Sequence, residues 1–256
     1  MNLHKLKEVE STFLMRYPLG FEDSGLAPIK KKHNVDKLIS LVQTNLTQPN
    51  CNQPHFVAKT LVDTISRSSM VSRFEKPPFR DFINSLDSYE KETLAFAVEQ
   101  RLYGNRRKGF DLMVELLTPY KLAKWSIVSA IPFYFSPRRE AFVKPTTAKK
   151  IIEFLEVKDL IYSPTPSWAF YTGYRKLVME ITKHVHRSLS PNNAALTGFL
   201  MISIYRCETI LQCSGASLLA KEQLTFVLIV PPIPGFYTPT TSCFNPSKCR
   251  IRMICL

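Results

Sequence analysis

Apolar residues recur at helical spacing along most of residues 1–205. The first stripe includes Leu6, Val9 and Phe13, and the segment 20–32 that follows it is interpreted as a loop. The same spacing predicts further helices over residues 35–46, 56–65, 79–86, 87–102, 110–117, 122–131, 148–155, 168–185 and 194–202. The one strand candidate is Leu160-Ile161-Tyr162. The pattern therefore predicts a mainly α fold, a single compact domain of about eight to ten helices.

Several polar residues, prolines and glycines stand where helices are expected to begin or end. Asn34 is a candidate N-cap, and Pro77-Pro78 can open a helix because proline is tolerated in a first turn. Asp87 and Glu90 have the spacing of a capping box. Gly104 is expected at a helix C-terminus, and Pro132 is expected to stop the helix before it.

The helical pattern ends near residue 205. The last part of the chain, 206–256, has two acidic residues, no aspartate and five of the six cysteines. These cysteines are Cys207, Cys213, Cys243, Cys249 and Cys255. Two explanations stay open: a divergent, irregular, poorly ordered tail, or translation of out-of-frame or non-coding sequence. The predicted organisation is a helical domain, 1–205, followed by an atypical Cys-rich tail, 206–256.

Familiar catalytic and cofactor motifs are missing from the sequence. It has no GxGxxG, GxxxxGK, GxSxG, CxxC or HExxH pattern, and we predict no metal site and no cofactor. The longest apolar stretches, 130–135 and 225–233, are far shorter than the roughly 18 residues that cross a bilayer. With no signal-peptide pattern at residues 1–8, we expect a cytoplasmic protein without a membrane partner.

Charge is the strongest functional indication. The chain carries a net charge of +13, and residues 1–205 alone hold 29 Lys and Arg against 19 Asp and Glu. Such an excess favours nucleic acid or another polyanion as a partner. The clusters Lys30-Lys31-Lys32 and Arg106-Arg107-Lys108 flank predicted helices and are interpreted as solvated segments.

One basic segment, residues 138–150, combines cations, hydroxyls and a predicted helix N-terminus. Free backbone N–H groups and hydroxyls at such a terminus can hold a phosphate. The candidate nucleic-acid- or anion-binding residues are Arg138, Arg139, Lys144, Thr146, Thr147 and Lys149. The alternative is structural: Thr146 caps the helix, and the lysines solvate its outer face.

Other candidates have a structural interpretation beside the functional one. The aromatic residues from Trp125 to Tyr174 could line a pocket or stack on bases, but their helical spacing favours a core. Glu180 and His184 share a helix face, which is half of a metal site or a surface pair. Cys51 and His55 could form a nucleophile and base, although no neighbouring residue orients the histidine.

Three segments carry a resemblance to a known family. They are Lys124-Trp125-Ser126, the run from Ala141 to Lys149, and the run from Pro166 to Tyr171. The body resembles a family of uncharacterised bacterial helical proteins over roughly residues 1–204, most strongly from Ser66 to Tyr171. No activity is assigned to that family, so the resemblance implies no catalytic residues.

Three functions remain open at this point. The first is a binding protein for nucleic acid or another polyanion through a basic surface. The second is an enzyme acting on a small anionic substrate in an aromatic-lined pocket, with Arg138 or Lys144 as an anion clamp. The third is a protein-interaction adaptor whose charge serves solubility. The absence of catalytic motifs favours a binding protein over an enzyme.

Overall fold

The computed structural model describes the backbone of residues 1–213 and the side chains of residues 1–204. Helices account for nearly all its regular structure, and the described residues contain no strand. The mainly α prediction is therefore confirmed. The α-helices are α1 (Leu3–Arg16), α2 (Ala27–His33), α3 (Val35–Asn45), α4 (Pro54–Arg67), α5 (Lys76–Ser85), α6 (Ser88–Leu102), α7 (Arg106–Leu117), α8 (Trp125–Val128), α9 (Ala130–Phe135), α10 (Pro145–Phe154), α11 (Trp168–His184) and α12 (Asn193–Cys213).

Helices α6 and α7 form a close hairpin, in which α6 packs on α4 and α7 packs on α11. Helix α4 also packs on α3 and α5, while α12 contacts α1, α10 and α11. The short helices α8 and α9 are almost entirely buried; α9 packs on α3, α4 and α6, and α8 packs on α7. Trp125 and Tyr134 are among the largest fully buried side chains there.

Two helix starts agree with the features predicted from the sequence. Asp87 accepts a hydrogen bond from the backbone of Glu90 at 2.8 Å, and the Glu90 carboxylate accepts one from the backbone of Asp87 at 2.9 Å. The predicted capping box is confirmed. Pro77 and Pro78 lie in the first turn of α5, as expected.

Asn34 occupies the N-cap position of α3, as expected, but its backbone is left-handed and its side chain makes no capping hydrogen bond. The boundary expected at Pro132 is wrong. Pro132 lies inside α9, in its first turn, where the missing N–H leaves no helical bond unmade. The break comes earlier, at Ser129, whose hydroxyl donates to the carbonyl of Trp125 at 2.6 Å.

Two segments differ from their predicted conformation. Residues 20–32, expected to be a loop, contain two turns of 3₁₀-helix and most of α2. Leu160-Ile161-Tyr162 is not a strand, because no neighbouring strand in the described residues pairs with it, and Ile161 is exposed.

The C-terminal boundary is extended by α12, which continues to Cys213 past the break expected near residue 205. One compact unit, Met1–Ser214, contains all the helices of the described residues. The rest of the predicted Cys-rich tail, including Cys243, Cys249 and Cys255, lies outside the described residues. No helix in residues 1–213 is long and apolar enough to cross a bilayer.

Candidate functional site

The carboxylate of Glu140 lies buried in the loop between α9 and α10, with only 3% of its side chain exposed. The loop begins with a turn in which the Glu140 backbone N–H donates to the carbonyl of Ser136 at 2.9 Å. The side chain of Asn193 on α12 donates to the Glu140 carbonyl at 2.8 Å. These bonds hold the loop against the helices and direct the Glu140 side chain inward.

Three arginines from three helices surround this carboxylate. Nη2 of Arg101 on α6 lies 2.8 Å from Oε2, and Arg106 at the start of α7 forms an ion pair with Oε1. Nε of Arg175 on α11 lies 4.0 Å from Oε1 and donates to the carbonyl of Arg139 at 2.5 Å. We call Arg101, Arg106, Arg175 and Glu140 the arginine cluster.

Tyr171 adds a neutral donor to the arginine cluster. Its hydroxyl donates to Oε2 of Glu140 at 2.5 Å, and the ring is fully buried beneath Arg101, whose guanidinium lies 5.1 Å from the ring centroid. Burial raises the pKa of Tyr171, although the arginines oppose the shift. The phenol therefore keeps its proton and serves as a hydrogen-bond donor to the carboxylate.

The cluster carries more positive than negative charge. Three guanidiniums face one carboxylate, which leaves an excess of two positive charges. Burial, and then the charges of Arg101, Arg175 and Arg139, lower the pKa of Arg106. Arg106 is also the first residue of α7, where the partial positive charge of the helix N-terminus adds to the potential.

Two of the three guanidiniums are accessible to solvent. The side chain of Arg101 is 6% exposed, whereas those of Arg106 and Arg175 are 42% and 31% exposed. The Nε of Arg101 is buried and has no hydrogen-bond acceptor among the described residues. Two of the guanidiniums can therefore meet a ligand, while the third is fixed beneath them.

A glycine permits the close approach of the helices that carry Arg101 and Arg106. A Cβ built at Gly109 on α7 would lie 2.3 Å from the backbone nitrogen of Arg101 and 2.6 Å from the carbonyl oxygen of Ala97. Since any side chain there would collide with backbone, glycine is required for α6 and α7 to touch. The contact brings the first turn of α7 next to the last turn of α6.

The structure places some of the sequence-predicted residues at this cluster. Arg139 lies beside it, since its carbonyl accepts a hydrogen bond from Arg175 and its charge contributes to lowering the pKa of Arg106. Arg138 is exposed and donates from Nε to the carbonyl of Pro191 at 3.3 Å.

The other predicted residues have different surroundings. Lys144 lies close enough to His33 for its charge to affect that imidazole. Burial, and then the charges of Lys32 and Lys144, lower the pKa of His33. Lys149 is exposed and lies 3.9 Å from Glu153 on its own helix. No contact joins Lys144 or Lys149 to the arginine cluster among the contacts of the described residues.

The two threonines do not cap α10. The helix begins at Pro145 with Lys144 in the N-cap position, and no side chain makes a capping hydrogen bond there. The expectation that Thr146 caps this helix is therefore wrong. Thr146 is exposed, whereas Thr147 is buried on the inner face.

The interpretation of residues 106–108 as a solvated segment also needs correction. Arg107 and Lys108 are exposed, but Arg106 turns inward to the buried carboxylate of Glu140. The helical spacing contained a signal, because Arg101 follows Leu94 and Val98 on the buried face of α6. A charged residue on an apolar face requires a buried partner.

The remaining sequence candidates have structural roles. Burial raises the pKa of the Cys51 thiol to about 11, which makes it a poor nucleophile at neutral pH. His184 and Glu180 form a pair at 3.1 Å with Glu180 half-exposed. Most of the aromatic run is core, including Trp125, Phe133 and Tyr174. Residues 1–213 contain no group of three or more His, Cys, Asp or Glu that could hold a metal ion.

A groove of about 300 Å³ lies between α5, α6 and α7, away from the arginine cluster. Its lining is apolar apart from Thr93 and two carboxylates, Glu90 and Glu115. Glu90 is already occupied in the capping box of α6. Acidic side chains repel an anionic ligand, so this groove does not share the chemistry of the arginine cluster.

Comparison with known proteins gives no relative from which a function could be transferred. The resemblance to bacterial helical proteins thus stays a prediction. The chain matches no model of a protein family, no curated protein and no solved structure.

Proposed function

We propose that this protein binds an anionic ligand that carries a phosphate group, and that the phosphate contacts the arginine cluster. The observation that carries the proposal is the imbalance of charge: Arg101, Arg106 and Arg175 share the single carboxylate of Glu140. A buried or half-buried cation that lacks a full counter-charge is costly, and a bound anion removes that cost.

The chemistry of arginine favours phosphate. The planar guanidinium presents a fork of donors that matches two oxygens of a phosphate or carboxylate. Arg106 and Arg175 are both partly exposed and both lie near the same carboxylate oxygen, which places two accessible guanidiniums close to each other. Glu140 and Tyr171 hold the cluster from below, which supplies the preorganisation that tight anion binding requires.

The basic surface of Arg138, Arg139, Lys144 and Lys149 remains a wider proposal for polyanions. Arg139 is the member that adjoins the arginine cluster. A nucleic acid could therefore place one phosphate at the cluster and others along the exposed cations, with binding that weakens as salt rises.

The experiment is a calorimetric titration of the full chain with inorganic pyrophosphate. We expect Arg106→Gln and Arg175→Gln each to weaken binding at least tenfold, because each removes a half-exposed donor and its charge. Arg107→Gln is the matched control: it removes the same charge from the next position on α7, where the side chain is 72% exposed and pairs with Asp111. Equal losses in Arg107→Gln and Arg106→Gln, or no binding to the unmodified protein, would overturn the proposal.

A further inference from the structure

Helix α11 presents an aromatic side chain on the same face as Arg175. Trp168, Tyr171 and Arg175 are spaced three and four residues apart, which places them on one side of the helix. Tyr171, in the middle, is buried and bonded to Glu140, whereas Trp168 is partly exposed. The face therefore runs from a partly exposed tryptophan at one end to a partly exposed arginine at the other.

The indole of Trp168 is held in a defined orientation. It stacks on the ring of Tyr171 at an interplanar angle of 27° and a centroid distance of 5.9 Å. The Arg101 guanidinium lies 5.6 Å from its centroid, and the Phe110 ring lies 5.5 Å away. An aromatic surface fixed in this way loses little conformational entropy when a ligand packs on it.

The separation of the two ends fits a ligand with two chemical parts. Seven residues of α-helix rise about 10 Å, so Trp168 and Arg175 are about that far apart along the axis. A nucleoside phosphate carries a flat aromatic base at one end of a sugar and a phosphate at the other. Base–aromatic stacking is tolerant of sequence and is a common means of binding nucleotides and single strands.

We infer that the ligand of the arginine cluster is a nucleoside phosphate, free or within a single strand, whose base stacks on Trp168. The inference rests on the proposed function, since the phosphate must occupy the arginine cluster. It adds an aromatic subsite that inorganic phosphate and sugar phosphates cannot use.

The test compares adenosine 5′-monophosphate with ribose 5-phosphate by calorimetric titration. We expect the nucleotide to bind about tenfold more tightly, which is within the range that one stacked base contributes. Trp168→Leu should reduce the affinity for the nucleotide to that for ribose 5-phosphate, and Trp168→Phe should keep most of the difference. Circular dichroism establishes that both variants fold.

Tryptophan fluorescence gives a second readout of the same contact. Only two tryptophans are present, and Trp125 is buried in the core, so quenching by the nucleotide should disappear in Trp168→Phe. Ribose 5-phosphate should not quench the unmodified protein. Quenching that persists in Trp168→Phe would contradict stacking on Trp168.

The outcomes separate this inference from the proposed function. Equal affinities for the nucleotide and ribose 5-phosphate would overturn the aromatic subsite and leave the phosphate site standing. No binding of either compound would overturn both. A short oligodeoxyadenylate then distinguishes the two sources: stronger, salt-dependent binding assigns the site to single strands, and binding no stronger than that of the mononucleotide assigns it to free nucleotides.

Discussion

Nη2 of Arg101 lies 2.8 Å from Oε2 of Glu140, and neither side chain is more than 6% exposed. The two residues are 39 positions apart in sequence, one at the end of α6 and the other in the loop before α10. A buried pair of this kind gives little net stability by itself, but removal of one partner leaves the other charge uncompensated. The pair therefore ties the loop to α6, and its carboxylate offsets one of the three positive charges of the cluster.

Glu140→Gln should be strongly destabilising because it leaves three arginines without their counter-charge. We expect the free energy of unfolding to fall by about 3–5 kcal/mol. Glu153→Gln is the control; it removes a carboxylate of an exposed pair with Lys149 and should change the free energy by less than about 1 kcal/mol. Urea denaturation measures both.

The same variant gives a test of anion binding through stability. Phosphate should raise the melting temperature of Glu140→Gln more than that of the unmodified protein, because the added anion replaces the missing negative charge. Equal shifts in the two proteins would indicate that phosphate does not bind near residue 140.

Gly109→Ala should be destabilising by about 1–3 kcal/mol, the usual cost of forcing extra atoms into a packed contact. The added Cβ would collide with the backbone of α6, at Ala97 and Arg101. Gly198→Ala on α12 is the control, because its Cβ would lie 3.8 Å from its nearest neighbour, Phe21, and alanine favours helix. Thermal unfolding should show a lower midpoint for the first variant and an unchanged or higher midpoint for the second.

Asp87→Ala removes the capping box of α6. We expect the free energy of unfolding to fall by about 1 kcal/mol. The Glu90 backbone N–H loses its acceptor, and the reciprocal bond from the residue 87 N–H to the Glu90 carboxylate is weakened. Asp81→Ala removes an exposed carboxylate whose partner is the adjacent Arg80, and it should have a smaller effect. Similar losses in the two variants would show that the box contributes no more than a surface charge.

Alkaline pH should destabilise the fold through its buried tyrosines. Burial raises the pKa of Tyr134 to about 12, while a tyrosine in the unfolded chain has a pKa of about 10. The folded state keeps a proton that the unfolded state releases, so this contribution to stability is complete below about pH 10 and is lost as the pH rises through about 12.

The variant Tyr134→Phe checks the assignment. It should flatten the fall of the unfolding free energy between about pH 10 and 12, whereas Tyr89→Phe, at an exposed position, should leave the slope unchanged. An identical slope in Tyr134→Phe and the unmodified protein would contradict the raised pKa.

The helices could be predicted from sequence because their information is local. The stripe Leu6, Val9 and Phe13 and the capping residues Asp87 and Glu90 act within one or two turns, and the fold uses them as the pattern indicates. Asn34 lies at the expected start of α3, but its left-handed backbone could not be predicted, because an asparagine between two consecutive helices has the same sequence signature as an N-cap whose side chain makes the capping bond.

The site could be predicted only in part because it is assembled from distant segments. Arg139 belongs to the predicted basic segment and does adjoin the cluster. Glu140, next to it, has no local feature that marks it as buried, and its partners come from α6, α7 and α11. The one sequence signal was Arg101, which falls on the apolar face of its helix.

The most direct test of the account is a nitrogen–proton correlation spectrum of the arginine Nε–H groups during a titration with pyrophosphate. Arg106→Gln and Arg175→Gln assign the two resonances. We predict that these resonances shift and saturate together at the calorimetric affinity, while that of Arg107 shifts little. Shifts of equal size at all exposed arginines, without saturation, would mean that pyrophosphate only screens the surface and would contradict a phosphate site at the arginine cluster.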